Sequence, residues 1–220
     1  MHQRAAQCTS FIVVFMLFSF VAPASAGDGW YVAAGIGKAW LADDSFKGAV
    51  SGDITQSFGG EFGVHLTAGH AFAGIPLRLE SELLVLRADV VDLRNTLTTF
   101  KGGSDRHVAG MANVYYEPAL RGRTKAYVAA GIGLDVEKWG LHLITPAGMS
   151  TAGRYDTRAF FAYQLKVGVA HPLTNRLELV AGYRFFGTQK RELDSPSAQT
   201  GYPHSAQLVH CLESGVRWSW

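Results

Sequence analysis

A seven-residue sequence, YVAAGIG, occurs twice, at Tyr31–Gly37 and at Tyr127–Gly133. Glycines beside a lysine can cradle phosphate, so the first copy, which precedes Lys38, is a candidate nucleotide loop. Such a loop needs a glycine, four further residues, Gly-Lys and then Ser or Thr. Here Ala39 follows the lysine, Val32 occupies the first glycine position, and the second copy has no lysine. The spacing excludes a phosphate loop, and the repeat predicts a structural element that is used twice.

His204 and Ser205 are the residues whose types could act as a base and a nucleophile. Adjacent residues of a strand point to opposite faces, so the two share a site only if a loop brings them together. Cys211 is interpreted as a small buried filler and not as a reactive thiol. Three histidines are too scattered for a metal-ligand motif: His107, His142 and His210. The sequence therefore predicts no catalytic residues, no metal site and no cofactor.

The elements that would position these side chains are strands. After residue 26 the chain divides into eight segments in which apolar side chains recur at every second position. The fourth segment, from about Arg106 to Glu117, alternates least clearly. Long polar connections alternate with short ones that carry turn residues. The long ones are 41–58, 89–104, 138–155 and 187–203, and the short ones are 73–76, 118–123 and 171–175.

This alternation predicts the fold class as all-β, an eight-stranded antiparallel up-and-down transmembrane β-barrel. One face of each segment is continuously apolar, and the other mixes glycine with charge. An eight-stranded barrel has little interior room, so the apolar face is expected outside, in lipid. Closure also removes every strand edge that lipid cannot hydrate. The alternative is a soluble barrel in the periplasm with its apolar face inside.

Charged residues on the second face are expected in the lumen, where burial requires that they be paired. We interpret them as a network of ion pairs that plugs the barrel; a gate or a narrow ion path is the alternative. The predicted network comprises Glu61, Arg78, Glu80, Glu82, Asp135, Glu137, Lys166, Glu178, Arg184, Glu213 and Arg217. Glycines of the repeat are expected to give room to longer charged side chains of neighbouring strands: Gly35, Gly37, Gly131 and Gly133.

The chain begins with a predicted export signal, residues 1–26, in which Arg4 precedes an apolar stretch and a small-residue cleavage site. Residues 27–220 would then form one barrel domain. With the N-terminus in the periplasm, aromatic side chains are expected in two girdles at the membrane interfaces. The inner girdle would hold Trp30, Phe72, Tyr115 and Tyr116, and the outer one Trp40, Phe62 and Phe185.

Several stretches resemble the outer-membrane β-barrel family of small surface antigens, opacity-type and porin-like proteins, which is similar to the membrane domain of OmpA. They are GWYVAAGIG, ANVYY followed by AYVAAGIG, FAYQLKVGV, LVAGYRFF and the ending HSAQLVHCLESGVRWSW. The resemblance implies a Gram-negative outer-membrane location. It also implies that an alternating C-terminal signal is read by the barrel-assembly machinery. Residues that match this signal are Leu212, Val216, Trp218 and Trp220, although the usual last residue is Phe.

The functional expectation is a structural and surface-interaction protein, acting in adhesion or as an antigen, that displays four long loops. The alternatives are a small porin-like channel for ions or hydrophobic solutes and an enzyme that modifies lipid A. Expected partners are outer-membrane lipid, lipopolysaccharide phosphates and host surface molecules that contact the loops. The net charge of +2 gives no reason to expect nucleic acid.

Overall fold

The structure is a computed structural model. It describes residues 29–41, 44–48, 52–94, 99–101, 103–118, 122–141, 143–144, 150–151, 155–189, 191–193, 202–204 and 207–220. The predicted export signal and the serine of the His204–Ser205 pair lie outside these residues. Within the described part of the chain, no helix has the length and apolarity needed to cross a membrane.

Eight long strands form the molecule, and each is hydrogen-bonded to its neighbours in sequence. Their bounds are β1 Trp30–Leu41, β2 Gly52–Ala71, β3 Leu77–Arg94, β4 Gly103–Tyr116, β5 Lys125–Leu141, β6 Tyr155–Pro172, β7 Leu177–Thr188 and β8 Leu208–Ser219. All neighbouring pairs are antiparallel. The first and last strands also pair, from Tyr31 opposite Ser219 to Leu41 opposite Val209. The predicted closed up-and-down barrel of eight strands is therefore confirmed.

Successive side chains of each strand point alternately to the outside and to the interior, as a pleated strand requires. In the second YVAAGIG copy, Val128 is 52% exposed and Ile132 is 61% exposed, whereas Tyr127 is buried. A soluble barrel would hide its large apolar side chains, but here they form the outer surface. This inversion is what a strand that faces lipid requires.

The two ends of the barrel differ. At the end that holds both chain termini, strands are joined by short segments, and Gly74 has a positive φ of 80° within one of them. In the part of the chain that the structure describes, six further short strands lie in connections at the opposite end. They are Asp44–Gly48, Thr99–Lys101, Leu143–Ile144, Ser150–Thr151, Arg191–Leu193 and Tyr202–His204. Outer-membrane barrels keep short turns in the periplasm, so we name the short-turn end the inner end and the other the outer end.

Two of the predicted long connections are shorter than expected. The connections 41–58 and 89–104 were expected to be loops, but β2 begins at Gly52 and β3 continues to Arg94. These strands have 20 and 18 residues, whereas crossing a membrane takes about 9–11. Their outer parts pair with each other from Thr55 opposite Arg94, although the apolar alternation that marks a strand in the sequence ends before this pairing does.

Tyr115 does not belong to the inner aromatic girdle. It is 4% exposed and points into the barrel, while its neighbour Tyr116 is 48% exposed and points outward. Successive residues of a strand cannot share a face, so only one of the pair could meet lipid.

Candidate functional site

Four charged side chains meet at the centre of the lumen, and we name them the central ionic cluster: Glu82, Lys166, Arg184 and Glu213. They come from β3, β6, β7 and β8, so the contacts between β3 and the other three strands cross the interior. Lys166 Nζ lies 2.8 Å from Glu82 Oε2 and 3.5 Å from Glu213 Oε1. Arg184 pairs with Glu82 and lies 2.7 Å from Glu213 Oε2 through Nη2. Two cations and two carboxylates thus neutralise one another within the barrel.

Neutral amides extend this cluster to the wall of β4. Arg184 Nη1 donates to Gln164 Oε1 at 2.7 Å, and Gln164 Nε2 donates to Asn113 Oδ1 at 2.6 Å. Asn113 Nδ2 in turn donates to Glu82 Oε2 at 3.2 Å. The chain of donors returns to the same carboxylate, so the extended network joins five strands, β3, β4, β6, β7 and β8, through directional contacts that make the centre of the lumen rigid.

A second ionic group lies at the inner end, and we name it the inner-end cluster: Arg78, Glu117, Lys125, Glu178 and Arg217. Arg78 Nη1 lies 2.9 Å from Glu117 Oε2, and Arg217 pairs with Glu178 and Glu117. Lys125 Nζ donates to Glu178 Oε1 at 3.0 Å while its side chain remains 47% exposed. This cluster therefore reaches water at its inner side.

Tyrosines connect the two clusters. Tyr31 and Tyr115 each donate a hydroxyl hydrogen to Glu80, at 3.0 Å and 2.9 Å. Lys166 Nζ donates to the Tyr115 hydroxyl at 2.9 Å, and the guanidinium of Arg78 lies 4.3 Å from the centre of the Tyr115 ring. One ring thus contacts charges of both clusters, which leaves little space between them.

Apolar side chains fill much of the interior of the outer half, which the sequence reasoning did not predict, although His107, Asp135 and Glu137 are buried at the same level. Buried side chains there form one cluster, which we name the apolar layer: Ala39, Leu41, Leu84, Leu86, Ala88, Ala109, Met111, Ala162, Phe186, Val209 and Cys211. Cys211 is a free, buried thiol in this layer, as expected of a small filler. The signal for the layer was present in the sequence. The run Leu83–Leu86 and the pair Phe185–Phe186 are apolar on both faces, which a strand between lipid and a polar lumen would not be.

One ionisable pair borders the apolar layer. His107 Nδ1 lies 2.6 Å from Asp135 Oδ2, and the two side chains are 1% and 0% exposed. The ring of Phe186 packs edge-on to the imidazole, with 6.5 Å between the ring centres. Sequence spacing gave no reason to join these two residues, because they lie on separate strands that pair in a register only the folded sheet reveals.

All of the charged residues expected in the lumen are buried in the structure. Most of them join one of the two ionic clusters. Four are outside both clusters: Glu61, Glu80, Asp135 and Glu137. Glu61 lies where the pairing of β2 with β3 is irregular, and its Oε2 is 3.8 Å from Nζ of the half-exposed Lys38. Asp135 pairs with a histidine and not with the cations of the clusters.

The glycines of the repeat border the interior, but their neighbours differ from those expected. A Cβ at Gly35 would overlap the ring of His65, and one at Gly131 would overlap the side chain of Asn113. A Cβ at Gly37 would lie 2.6 Å from the Cys211 sulfur, and one at Gly133 would lie 2.6 Å from Met111 Sδ. The space is thus used by aromatic, amide and sulfur groups of adjacent strands, and not by the long charged side chains.

A small cavity remains between the two ionic clusters. Its volume is about 30 Å³, and Lys166, Arg78, Glu80 and Glu213 contribute to its lining. A cavity of this size has room for about two water molecules. The described residues contain no group of three or more side chains suited to a metal ion.

The C-terminal strand carries the residues of the expected assembly signal on its outer face. Leu212, Val216, Trp218 and Trp220 are all among the exposed large apolar side chains. The backbone nitrogen of Trp220 donates to the carbonyl oxygen of Trp30 at 3.3 Å, so the end of the chain is held beside its first strand.

Comparison with known proteins agrees with this geometry. No curated protein sequence matches the chain. Neisserial surface protein A is similar in fold, with 17% identity and a TM-score of 0.55; the match covers 89% of this chain and 100% of that one. A major outer membrane protein from Thermus thermophilus gives 16% identity, a TM-score of 0.56 and coverages of 89% and 100%. OprG from Pseudomonas aeruginosa gives 11% identity, a TM-score of 0.50 and coverages of 87% and 96%.

The family model described as the outer membrane protein beta-barrel domain matches residues 10–208. That range includes seven of the eight barrel strands in full, from β1 to β7. Together with the outward apolar surface and the closed sheet, the match means that this chain belongs to the outer-membrane β-barrel family of bacteria.

Proposed function

We propose that this protein is a surface scaffold of the outer membrane. Its barrel is a closed, plugged anchor, and the segments at its outer end make contacts outside the cell, including contacts with host surfaces. The observation that carries the proposal is the central ionic cluster, which joins β3 to β6, β7 and β8 across the lumen. A barrel that is sealed at its centre can fix the position of its outer segments but gives solutes no path.

The apolar layer supports the same conclusion. An ion that passed the charged clusters would next meet Leu84, Leu86 and Phe186, which offer it no hydrogen-bonding partner, and the buried His107 and Asp135 at this level already pair with each other. Removing an ion from water without replacing its partners is very costly. The interior therefore opposes ion passage twice, once by packed charge and once by packed hydrocarbon.

The asymmetry of the two ends supports the surface role. The six short strands of the described residues lie in connections at the outer end, so these connections are longer than those at the inner end. Exposed connections on a rigid scaffold are where binding specificity usually resides. The name of one similar protein, Neisserial surface protein A, agrees with such a role.

Conductance in planar lipid bilayers tests the plug. Wild-type protein, shown to be folded by its heat-modifiable mobility in gels, is expected to give no stable open state. The double variant Glu82→Ala/Arg184→Ala removes the charge pair that crosses the lumen and is expected to give brief conducting events. The matched control is Arg87→Ala/Asp89→Ala, which removes an ion pair from the outside of the same strand.

A stable open state of the wild type would overturn the scaffold proposal and establish the alternative, a small porin-like channel. The polar cavity between the clusters is the feature that favours this alternative, because it gives the inner half of the lumen room for water.

Attachment assays test the surface role. Bacteria that display the protein are compared with bacteria that display a variant in which residues 189–207 are replaced by a short turn. Loss of attachment to cultured host cells, with equal amounts of folded protein in the outer membrane, is the expected result. The same replacement is made in turn at 42–51, 95–102 and 142–154. If all four variants attach as well as the wild type, the proposed surface role is contradicted.

A further inference from the structure

Three cations lie side by side on the outer surface near the outer end of the barrel. We name them the cationic row: Arg87 on β3, Arg106 on β4 and Lys138 on β5. The register of the sheet sets Arg87 directly opposite Arg106, and Arg106 directly opposite Lys138. All three side chains are exposed, while the residues that flank them on the same strands, such as Leu86 and His107, point inward.

Such an arrangement is unfavourable without an external anion. Side chains directly opposite on antiparallel strands have Cβ atoms about 4.5–5.5 Å apart, and like charges at this spacing destabilise the pair. Arg87 has one weak partner, Asp89, whose Oδ1 lies 3.8 Å from Nε, and both side chains are more than half exposed. In the part of the chain that the structure describes, no ion pair involves Arg106 or Lys138. The central cation of the row thus faces a cation on each side.

The height of the row in the membrane follows from the neighbouring residues on the same outer face of the three strands. One step toward the inner end, Val85, Val108 and Val136 occupy the same three strands and are also paired directly with one another. A further step brings Leu83, Gly110 and Leu134. The apolar surface that meets hydrocarbon therefore ends at the valines, and the cations stand at the level where lipid headgroups carry their phosphates.

We propose that the cationic row is a binding site for the phosphates of lipopolysaccharide in the outer leaflet. Guanidinium groups bind phosphate oxygens by paired, charge-assisted hydrogen bonds, and the lysine adds a point charge. The valines and leucines below the row supply the surface for the acyl chains of the same lipid. One lipid thus meets both halves of a site whose apolar and cationic parts are aligned in the register of three strands.

The test uses the whole barrel, refolded into phosphatidylcholine vesicles with and without bisphosphorylated lipid A. Thermal unfolding is followed by the loss of heat-modifiable mobility. Lipid A is expected to raise the unfolding midpoint of the wild type by at least about 3 °C, because a ligand that binds only the folded state stabilises it. Phosphatidylglycerol and dephosphorylated lipid A are expected to give a smaller rise, and free inorganic phosphate none.

Arg106→Gln is the decisive variant, since its effect reverses sign with the lipid. In phosphatidylcholine alone its midpoint is expected to exceed that of the wild type, because the repulsion from two neighbouring cations is removed. In lipid A its midpoint is expected to fall below the wild type. The matched control is Arg123→Gln, an exposed arginine at the inner end, which should change neither comparison.

Three results would overturn the proposal. One is an equal rise with lipid A and with its dephosphorylated form, and another is an equal rise with phosphatidylglycerol. The third is a full lipid A effect that persists in Arg106→Gln and in the triple variant that also carries Arg87→Gln and Lys138→Gln. None of these outcomes bears on the plugged lumen, which the conductance measurement tests separately.

Discussion

The inner and outer halves of the lumen are filled by different chemistry, and the change occurs within one face of one strand. The inward positions of β3 read Arg78, Glu80 and Glu82 from the inner end, and then Leu84 and Leu86. The inner three belong to ionic contacts that have fixed partners and directions. The outer two pack in the apolar layer, where contacts have no preferred direction. One strand thus carries directional ionic contacts in its inner half and non-directional apolar contacts in its outer half.

This difference explains how a narrow barrel can hold so much charge. Ionic groups in a dry interior must be paired. Glu82 pairs with Arg184 and Lys166 because side chains from opposite sides of the barrel meet at the centre of the lumen. The apolar half needs no such convergence. It fills space and keeps water away from the outer side of the charges, which strengthens their attraction.

Removing the central cation is expected to have the largest effect on stability. Arg184→Ala leaves Glu82 and Glu213 with one cation between them, and breaking a buried pair in this way costs about 3–5 kcal/mol. Urea unfolding in detergent, read from heat-modifiable mobility, measures the loss. Arg87→Ala, which removes an exposed arginine of β3, is the control. Equal losses of unfolding free energy in the two variants would show that the central ionic cluster contributes no more to stability than an exposed arginine does.

Opening a hole in the apolar layer is expected to cost nearly as much. Leu86→Ala removes a side chain that is 1% exposed, and such changes cost about 2–5 kcal/mol. The loss should be the same at low and high salt, because no charge is involved. Leu79→Ala on the outer face of the same strand is the control, since Leu79 is 48% exposed. If the Leu86 variant were the less affected of the two, the outer half would not be a packed layer.

Crowding the interior wall at the repeat comes next. Gly131→Leu must displace Asn113, which links Gln164 to Glu82, so a loss of about 1–3 kcal/mol is expected. Ala130→Leu adds the same side chain one residue away on the lipid face and is expected to be nearly neutral. The comparison uses the folded fraction after refolding into vesicles. A more harmful Ala130 variant would reverse the assignment of the two faces.

The exposed margin of the inner-end cluster should matter least. Lys125→Gln removes a half-exposed cation that pairs with Glu178 and Glu117, and such pairs contribute less than about 1 kcal/mol. The loss should shrink further at high salt, because exposed pairs are screened. Unfolding at two ionic strengths measures it. A loss as large as that of Arg184→Ala would mean that the inner end is as dry as the centre.

The sequence carried the fold because both of its main signals are local. Alternation with period two marks each strand, and long and short connections mark the two ends. The identity of the inward face followed from the glycines and charges that share it with Tyr127. Partners within the lumen could not be predicted in the same way. That Glu82 meets Arg184 depends on the stagger of strands that are far apart in sequence, which no local pattern records.

The apolar layer was missed for a different reason. We expected the side opposite to lipid to be polar, and positions that are apolar on both faces, such as Leu84 beside Leu83, were counted only for the lipid face. Tyr115 misled in the opposite direction, because an aromatic residue near a membrane boundary suggests the girdle even when its position in the alternation points inward. In both cases the alternation of inward and outward positions along the strand predicts the face better than the residue type does.

The pairing of β1 with β8 has a consequence for how the protein is made. These are the first and last of the eight barrel strands, so Tyr31 can pair with Ser219 only after all eight strands have been synthesised. A product cut short by translation error or proteolysis leaves β1 and β7 with unsatisfied edges that lipid will not accept. Closure of the sheet therefore acts as a length check, because only a chain that includes both β1 and β8 leaves no open strand edge in the membrane.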